Sequence, residues 1–318
     1  MKITGTPAKP VSSLPGSSLP QRIGQTPLIR LEMPVRDLAG ITLLGKAEWA
    51  NPSGSVKDRA ASAIVRDARA RDLLTPGKIL LDASTGNSGL SFAMLGAALG
   101  FPVLLTMPAN ISSERKCILH AYGAQVEWTD PALGPDGAIF RAREIAGNDP
   151  NRYYYADQYS NDANWLEHFR TTGPEIWQQS AGQVTHFVAG IGTSGTFTGV
   201  TRFLKGCNPA LQAISFLPDA PLHGIVGLKY QGSTLVPAIY NPHLADRTVK
   251  VETEAAYDMA RRLAREEGLM VGISAAAAVS VALDIAREEA AAGRSAVIVT
   301  VLPDGAGNDL SNRFWKQS

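Results

Sequence analysis

The chain has 318 residues, 45% hydrophobic and 19% charged, with 30 basic and 29 acidic side chains for a net charge of +1. That length allows about two domains around a substantial core, and the near-neutral balance, without a Lys/Arg-rich run, gives no electrostatic case for a nucleic-acid or membrane-surface partner. Cys117 and Cys207 lie far apart, and His120, His168, His186, His223 and His243 are scattered, so neither a disulfide nor a metal is expected and a reducing, cytoplasmic setting fits.

Residues 1–22 carry Pro7, Pro10, Pro15 and Pro20 among serines and glycines and read as a disordered or loosely docked tail without a signal-peptide run. No later stretch approaches the ~18 consecutive apolar residues of a membrane span. From about Lys46 to Asp149, apolar runs at Ile79–Ala83, Val103–Met107 and Val126–Thr129 alternate with helical patterns near 56–72, 88–99, 112–121 and 136–147. This alternation predicts βαβ units and a parallel sheet. The 88–99 pattern is apolar nearly all round, which predicts a buried helix. A second block follows, with strands expected at Tyr153–Tyr155, Phe187–Ile191, Ala213–Leu217, Thr248–Val251 and Ala296–Val301, and an amphipathic helix near 254–267. The fold class is therefore α/β: two open, mostly parallel twisted sheets whose facing carboxyl ends leave a ligand crevice between them.

Three stretches carry chemistry. Residues 51–59 read Asn-Pro-Ser-Gly-Ser-Val-Lys-Asp-Arg, a turn running into a helical pattern, so Lys57 stands at a helix start. The positive end of a helix disfavours an ammonium by roughly 0.3–1 kcal/mol. That favours the neutral amine and makes Lys57 a candidate Schiff-base nucleophile, the other reading being a solvent-facing lysine behind a capping serine. Ser84-Thr85-Gly86-Asn87-Ser88 and Gly192-Thr193-Ser194-Gly195-Thr196 each join an expected strand to an expected helix. Backbone N–H groups at such junctions bind anions. A lysine nucleophile with a phosphate cradle points to pyridoxal 5'-phosphate, PLP.

With Ile23-Gly24-Gln25-Thr26-Pro27-Leu28, these stretches resemble, in order and from about Ile23 to Asp304, the cysteine synthase (O-acetylserine sulfhydrylase) family of fold-type II PLP enzymes. The resemblance implies a tryptophan synthase β-like architecture: an N-terminal α/β domain over 46–149, a larger C-terminal domain from 23–45 plus 150–318, PLP in the crevice, and a homodimer. It implies that Lys57 carries PLP and then removes the substrate α-proton. Asn87 would hold the ring hydroxyl, Gly192, Thr193, Ser194, Gly195 and Thr196 the phosphate, and Ser274 the pyridine nitrogen. Ser84, Thr85, Gly86, Ser88 and Gln158 would bind the substrate carboxylate. From the residues alone, Ser88 and Ser274 also read as helix N-caps, and Gln158 as a solvated loop residue. Ser112-Ser113-Glu114-Arg115 matches a region that closes over substrate, and also reads as a cap with an exposed first turn.

The implied reaction is β-replacement on an O-activated serine (O-acetylserine or O-phosphoserine) by a sulfur nucleophile, giving cysteine or an S-substituted cysteine. The same motifs occur in cystathionine β-synthase, cyanoalanine synthase, diaminopropionate synthase and serine/threonine dehydratase; a non-catalytic PLP-fold binding protein is the alternative outside enzymes. Three departures from the family pattern stand out. Ala275-Ala276 follows Ser274 where a small residue and then glycine is usual, predicting an extra methyl beside the ring. Asn308-Asp309-Leu310-Ser311 replaces Lys/Arg-Tyr-Leu-Ser. Gly227-Leu228-Lys229-Tyr230 and Leu235-Val236-Pro237 stand where A isozymes have Gly-Ile-Gly-Ala-Gly-Phe, which together with Thr172–Trp177 looks like the B type. Lys229 reads there as a contact for an anionic acceptor or sulfur donor, or as a solvent-facing lysine.

Overall fold

A computed structural model describes residues 17–230, 232 and 235–316, with the side chains of Arg313 and Lys316 outside the description. The strands, in chain order, are β1 (Leu28–Arg30), β2 (Ile41–Ala47), β3 (Ile79–Ala83), β4 (Val103–Pro108), β5 (Gln125–Thr129), β6 (Tyr153–Tyr155), β7 (His186–Gly190), β8 (Gln212–Pro218), β9 (Arg247–Val251) and β10 (Ala296–Leu302). The helices are α1 (Lys57–Ala70), α2 (Asn87–Leu99), α3 (Ser113–Ala121), α4 (Gly134–Asn148), α5 (Asp162–Glu167), α6 (Gly173–Gln179), α7 (Gly195–Cys207), α8 (Thr253–Glu266) and α9 (Ile273–Ala291). A π-helical turn, His168–Thr172, joins α5 to α6. Of the expected tail, residues 1–16 lie outside the described residues, and Leu19–Arg22 forms a short 3-10 helix.

The strands form two sheets. One runs β1-β2-β10-β7-β8-β9, parallel except for β1; the other runs β5-β4-β3-β6, wholly parallel. Strand and helix types follow the expected alternation, and the predicted burial of α2 is met: Leu90, Phe92, Ala93, Met94 and Leu95 are all at most 1% exposed. One assignment is corrected. Tyr153–Tyr155, read as the first strand of the second block, pairs with Ile79–Leu81 in the four-stranded sheet, so a division at 149/150 would cut β6 from the sheet it completes. Three tyrosines alternate no differently in either sheet, and only the pairing partner distinguishes them.

α9 fills the core of the larger sheet with small side chains. Ala275, Ala276, Ala277 and Ala282 have no exposure, so the helix can lie close on β10 and β2, and a larger residue at Ala277 would overpack at about 1–3 kcal/mol.

Lys57 sits at the seam between the sheets because α1 is fastened to both. Val56 N–H donates to Pro303 O at 2.8 Å, just past β10, while Ala61, Ile64, Val65 and Ala68 pack into the core of the smaller sheet. A buried charge network fixes the first turn. Arg59, 1% exposed, donates at 2.8 Å from Nε and Nη2 to Glu48 and from Nη1 and Nη2 to Glu175. Lys46, with no exposure, reaches Glu175 at 2.7 Å and Thr26 O at 2.6 Å. Burial opposes ionisation of Glu175, but the hydrogen bonds and charges of Arg59 and Lys46 hold its pKa at about 2.

Candidate active site

One cavity at the seam is lined by every residue to which the resemblance gives a cofactor or substrate role: Lys57, Ser84, Thr85, Gly86, Asn87, Ser88, Gln158, Gly192, Thr193, Ser194, Gly195, Thr196 and Ser274. Lys57 is the first residue of α1, and its Nζ has no hydrogen bond or ion pair among the described residues. Its pKa is lowered, and burial is the leading cause; Asp304 and Glu48 pull the other way. The neutral amine expected from the helix end is thus favoured chiefly by desolvation.

The loop between β3 and α2 divides its polar groups. Ser84 Oγ accepts from Gly86 N–H at 3.1 Å and Gly89 N–H at 2.9 Å, so Ser84, not Ser88, caps α2. Ser88 lies one residue inside the helix and donates to Gln158 Oε1 at 2.6 Å. Gln158 is 4% exposed, and its Nε2 donates to Asp82 and Ala83 O, both at 2.8 Å, so it is no solvated loop residue. Burial, with Asp157 nearby, pushes the Asp82 carboxyl up to about 8. Thr85 keeps a hydroxyl without a partner among the described residues, and the first amides of α2 have no intrahelical acceptor. Asn87 Nδ2 donates to Asp304 at 2.7 Å, while its buried Oδ1 has no partner among the described residues.

Across the cavity, Gly192–Thr196 leads β7 into α7. A Cβ on Gly192 would stand 2.3 Å from Gly227 O, so only glycine admits that crossing of two backbones. Ser194 takes φ 73°, a left-handed conformation costly for a non-glycine residue and frequent at ligand-binding turns. Thr193 Oγ1 accepts from Asn164 Nδ2 at 3.0 Å, which leaves its proton free to donate. Ser274 opens α9 at its second residue, and its hydroxyl has no partner among the described residues.

Two expectations fail on geometry. Ala276 packs into the core rather than lining the cavity; Ala278, one helical turn after Ser274, takes that wall. Lys229 is 7% exposed and bound at 2.5 Å to Asp136 on α4, above the Tyr159 ring, so it is neither solvent-facing nor free for an anion.

Sequence reading missed how α3 is tied down. Arg115, 2% exposed, lines the cavity and donates to Asp309 at 2.8 Å and Thr85 O at 3.3 Å. Ser112 Oγ donates to Asn308 O at 2.6 Å, and Ser311 donates to Glu114 from both N–H and Oγ at 2.8 Å. The unusual Asn308–Ser311 stretch is therefore the partner of the Ser112–Arg115 turn. Asp304 was also missed; an acid just past a strand's carboxyl end was the available signal.

A family model described as pyridoxal-phosphate dependent enzyme matches residues 19–304. The chain is 49% identical over 295 residues to the cysteine synthase of Aquifex aeolicus, covering 92% of this chain and 90% of that protein. Among solved structures, O-ureido-L-serine synthase superposes with a TM-score of 0.87 at 35% identity, covering 95% of this chain and 96% of the other. The cysteine synthase of Entamoeba histolytica gives a TM-score of 0.88 at 30% identity, covering 98% and 94%. The chain belongs to the cysteine synthase family of pyridoxal-phosphate dependent enzymes. Its residues suit that cofactor: a desolvated lysine amine, a buried Asn87 Oδ1 and a Ser274 hydroxyl, all three without partners among the described residues, and a glycine-floored loop at the N-terminus of α7.

Proposed function

We propose that the chain catalyses β-replacement on an O-activated serine, O-acetylserine or O-phosphoserine, with a sulfur nucleophile, yielding cysteine or an S-substituted cysteine. The observation that carries this reading is the Lys57 amine, desolvated and without a partner among the described residues, on the wall shared by the Thr85–Ser88 and Gly192–Thr196 loops. Bound PLP supplies the electron sink for the pair left when the substrate Cα–H bond breaks.

The protein's own groups divide the remaining work. Lys57, its pKa lowered chiefly by desolvation, would be the residue that holds the cofactor through its amine, and the same amine is the base placed to take the substrate α-proton. The Thr85 hydroxyl and the Asn87 and Ser88 amides at the start of α2 grip the substrate carboxylate. Ser88 spends its proton on Gln158, so it offers its N–H and lone pairs, and Gln158 acts by orienting Ser88. Ser84 shapes the loop as its cap. Asn87 would meet the ring hydroxyl, Ser274 the pyridine nitrogen, and the Gly192–Thr196 loop with the α7 N-terminus the phosphate. A serine does not protonate the pyridine nitrogen as an aspartate would, which suits β-elimination better than reactions needing a long-lived carbanion.

The Gly227–Tyr230 and Leu235–Pro237 segments support a B-type enzyme. A homodimer, a cytoplasmic location and a two-domain division, with β6 added to the smaller sheet's domain, complete the reading; among the described residues no helix is long and apolar enough to cross a membrane.

The test is direct assay of the purified, PLP-loaded protein with sulfide and either O-acetylserine or O-phosphoserine, reading cysteine by mass spectrometry. Turnover with one donor identifies the substrate. Failure to form either cysteine with sulfide or an S-substituted cysteine with thiosulfate, from either donor and with PLP bound, overturns the proposal.

A further inference from the structure

His168 opens the π-helical turn behind the phosphate-loop candidate and is 2% exposed. Each ring nitrogen has one partner: Nδ1 lies 2.9 Å from Thr172 Oγ1, and Nε2 lies 3.2 Å from Thr196 Oγ1. α7 can come this close because residue 199 is glycine. A Cβ there would stand 2.2 Å from Trp165 O and 2.7 Å from His168 Cβ.

The protons on this chain can be assigned by elimination. Burial, with the charges of Arg59 and Lys57, holds the His168 pKa well below 6.5, so the ring is neutral and carries one N–H. Thr172 has no exposure, and His168 Nδ1 is the one hydrogen-bond partner of its hydroxyl among the described residues. A proton on Nδ1 would leave the Thr172 O–H buried with no acceptor, an arrangement folded proteins avoid. With the proton on Nε2 every group is served: Thr172 O–H donates to Nδ1, Nε2–H donates to Thr196 Oγ1, and the Thr196 O–H is left over. Thr196 lines the cavity.

We propose that His168 is a positioning residue: fixed in its Nε2–H form by Thr172, it turns the Thr196 hydroxyl proton into the cavity, toward a phosphate monoester. The opposite tautomer would draw that proton back onto Nε2 and present lone pairs to an anion that only accepts hydrogen bonds. The proposal rests on the reading that Gly192–Thr196 holds the cofactor phosphate, and it concerns which way the donor points.

Two measurements on the PLP-loaded protein and its apo form test it. With 15N-labelled histidine, long-range proton–nitrogen correlation on the holoenzyme is expected to show His168 protonated at Nε2 and bare at Nδ1, one of only five histidine patterns to resolve. A proton on Nδ1 overturns the proposal. Equilibrium dialysis of PLP against apoprotein then compares variants. Glutamine places an N–H near the Nε2 position and asparagine near Nδ1, so His168→Gln is expected to stay within about 3-fold of the parent. His168→Asn, Thr172→Val and Thr196→Val are each expected to weaken PLP by about 10-fold, the worth of one hydrogen bond to a charged group. Equal losses in His168→Gln and His168→Asn, or none in either, overturn the role of His168. Unchanged PLP affinity in Thr196→Val overturns the phosphate-loop reading beneath it.

Discussion

Asn87 and Asp304 join the two sheets through one hydrogen bond: the Asn87 carboxamide, at the start of α2, donates at 2.7 Å to the carboxylate just past β10. The same carboxylate is among the groups that favour the charged form of Lys57. Asp304→Asn removes that charge, so the Lys57 pKa falls and the neutral amine persists to lower pH. The rate at which apoprotein captures PLP is therefore expected to keep its high-pH value further into acid than in the parent. An unchanged pH profile would mean that Asp304 does not act on Lys57. Asn87→Ala is expected to weaken PLP by about 10-fold through loss of the orphaned Oδ1.

Gly192→Ala puts a methyl 2.3 Å from Gly227 O, and a backbone carbonyl cannot swing aside as a side chain would. The loop must shift, so PLP affinity is expected to fall by more than about 10-fold, roughly the worth of one charge-assisted hydrogen bond. Equilibrium dialysis measures this, and parental affinity would show that the loop does not contact the cofactor.

Arg59→Met leaves Glu48 fully buried without its guanidinium and removes one of the two cations at Glu175. Breaking a buried pair from one side costs about 3–5 kcal/mol. The thermal midpoint of the variant is expected to drop by several degrees, and a change within 1–2 degrees, roughly the effect of an ordinary surface substitution, would show that the network contributes little.

His168 also sets a pH dependence. Its folded pKa lies below the unfolded 6.5, so between 6.5 and that lower value the unfolded chain binds the extra proton. Stability is fully present above pH 6.5 and is lost as pH falls, by up to about 1.4 kcal/mol per unit. Thermal midpoints measured from pH 7 to pH 5 are expected to fall less steeply in His168→Gln than in the parent. Parallel curves would mean that His168 titrates alike in the folded and unfolded chain.

Much of this site was legible in sequence because its parts are local. Lys57 follows its own turn, and the Ser84–Ser88 and Gly192–Thr196 loops announce themselves by small and hydroxyl residues between a strand pattern and a helix pattern. What stayed hidden depends on partners far away in the chain. Whether Ser88 caps a helix or serves Gln158 is decided by a residue 70 positions on, and Ser84 took the cap instead. Lys229 looked free because Asp136 lies 93 residues earlier. Arg115 was visible as a residue, but its burial against Asp309 was not, since neither side's local pattern encodes the other. His168 belongs to the same class: nothing nearby in sequence says that Thr196 faces it.

The account stands on Lys57 being the residue that carries PLP. Borohydride reduction of the purified holoprotein, followed by peptide mass spectrometry, fixes the attachment point covalently. The expected result is the reduced cofactor mass on Lys57 alone. An adduct on any other lysine, or none after PLP has been supplied, would contradict the account.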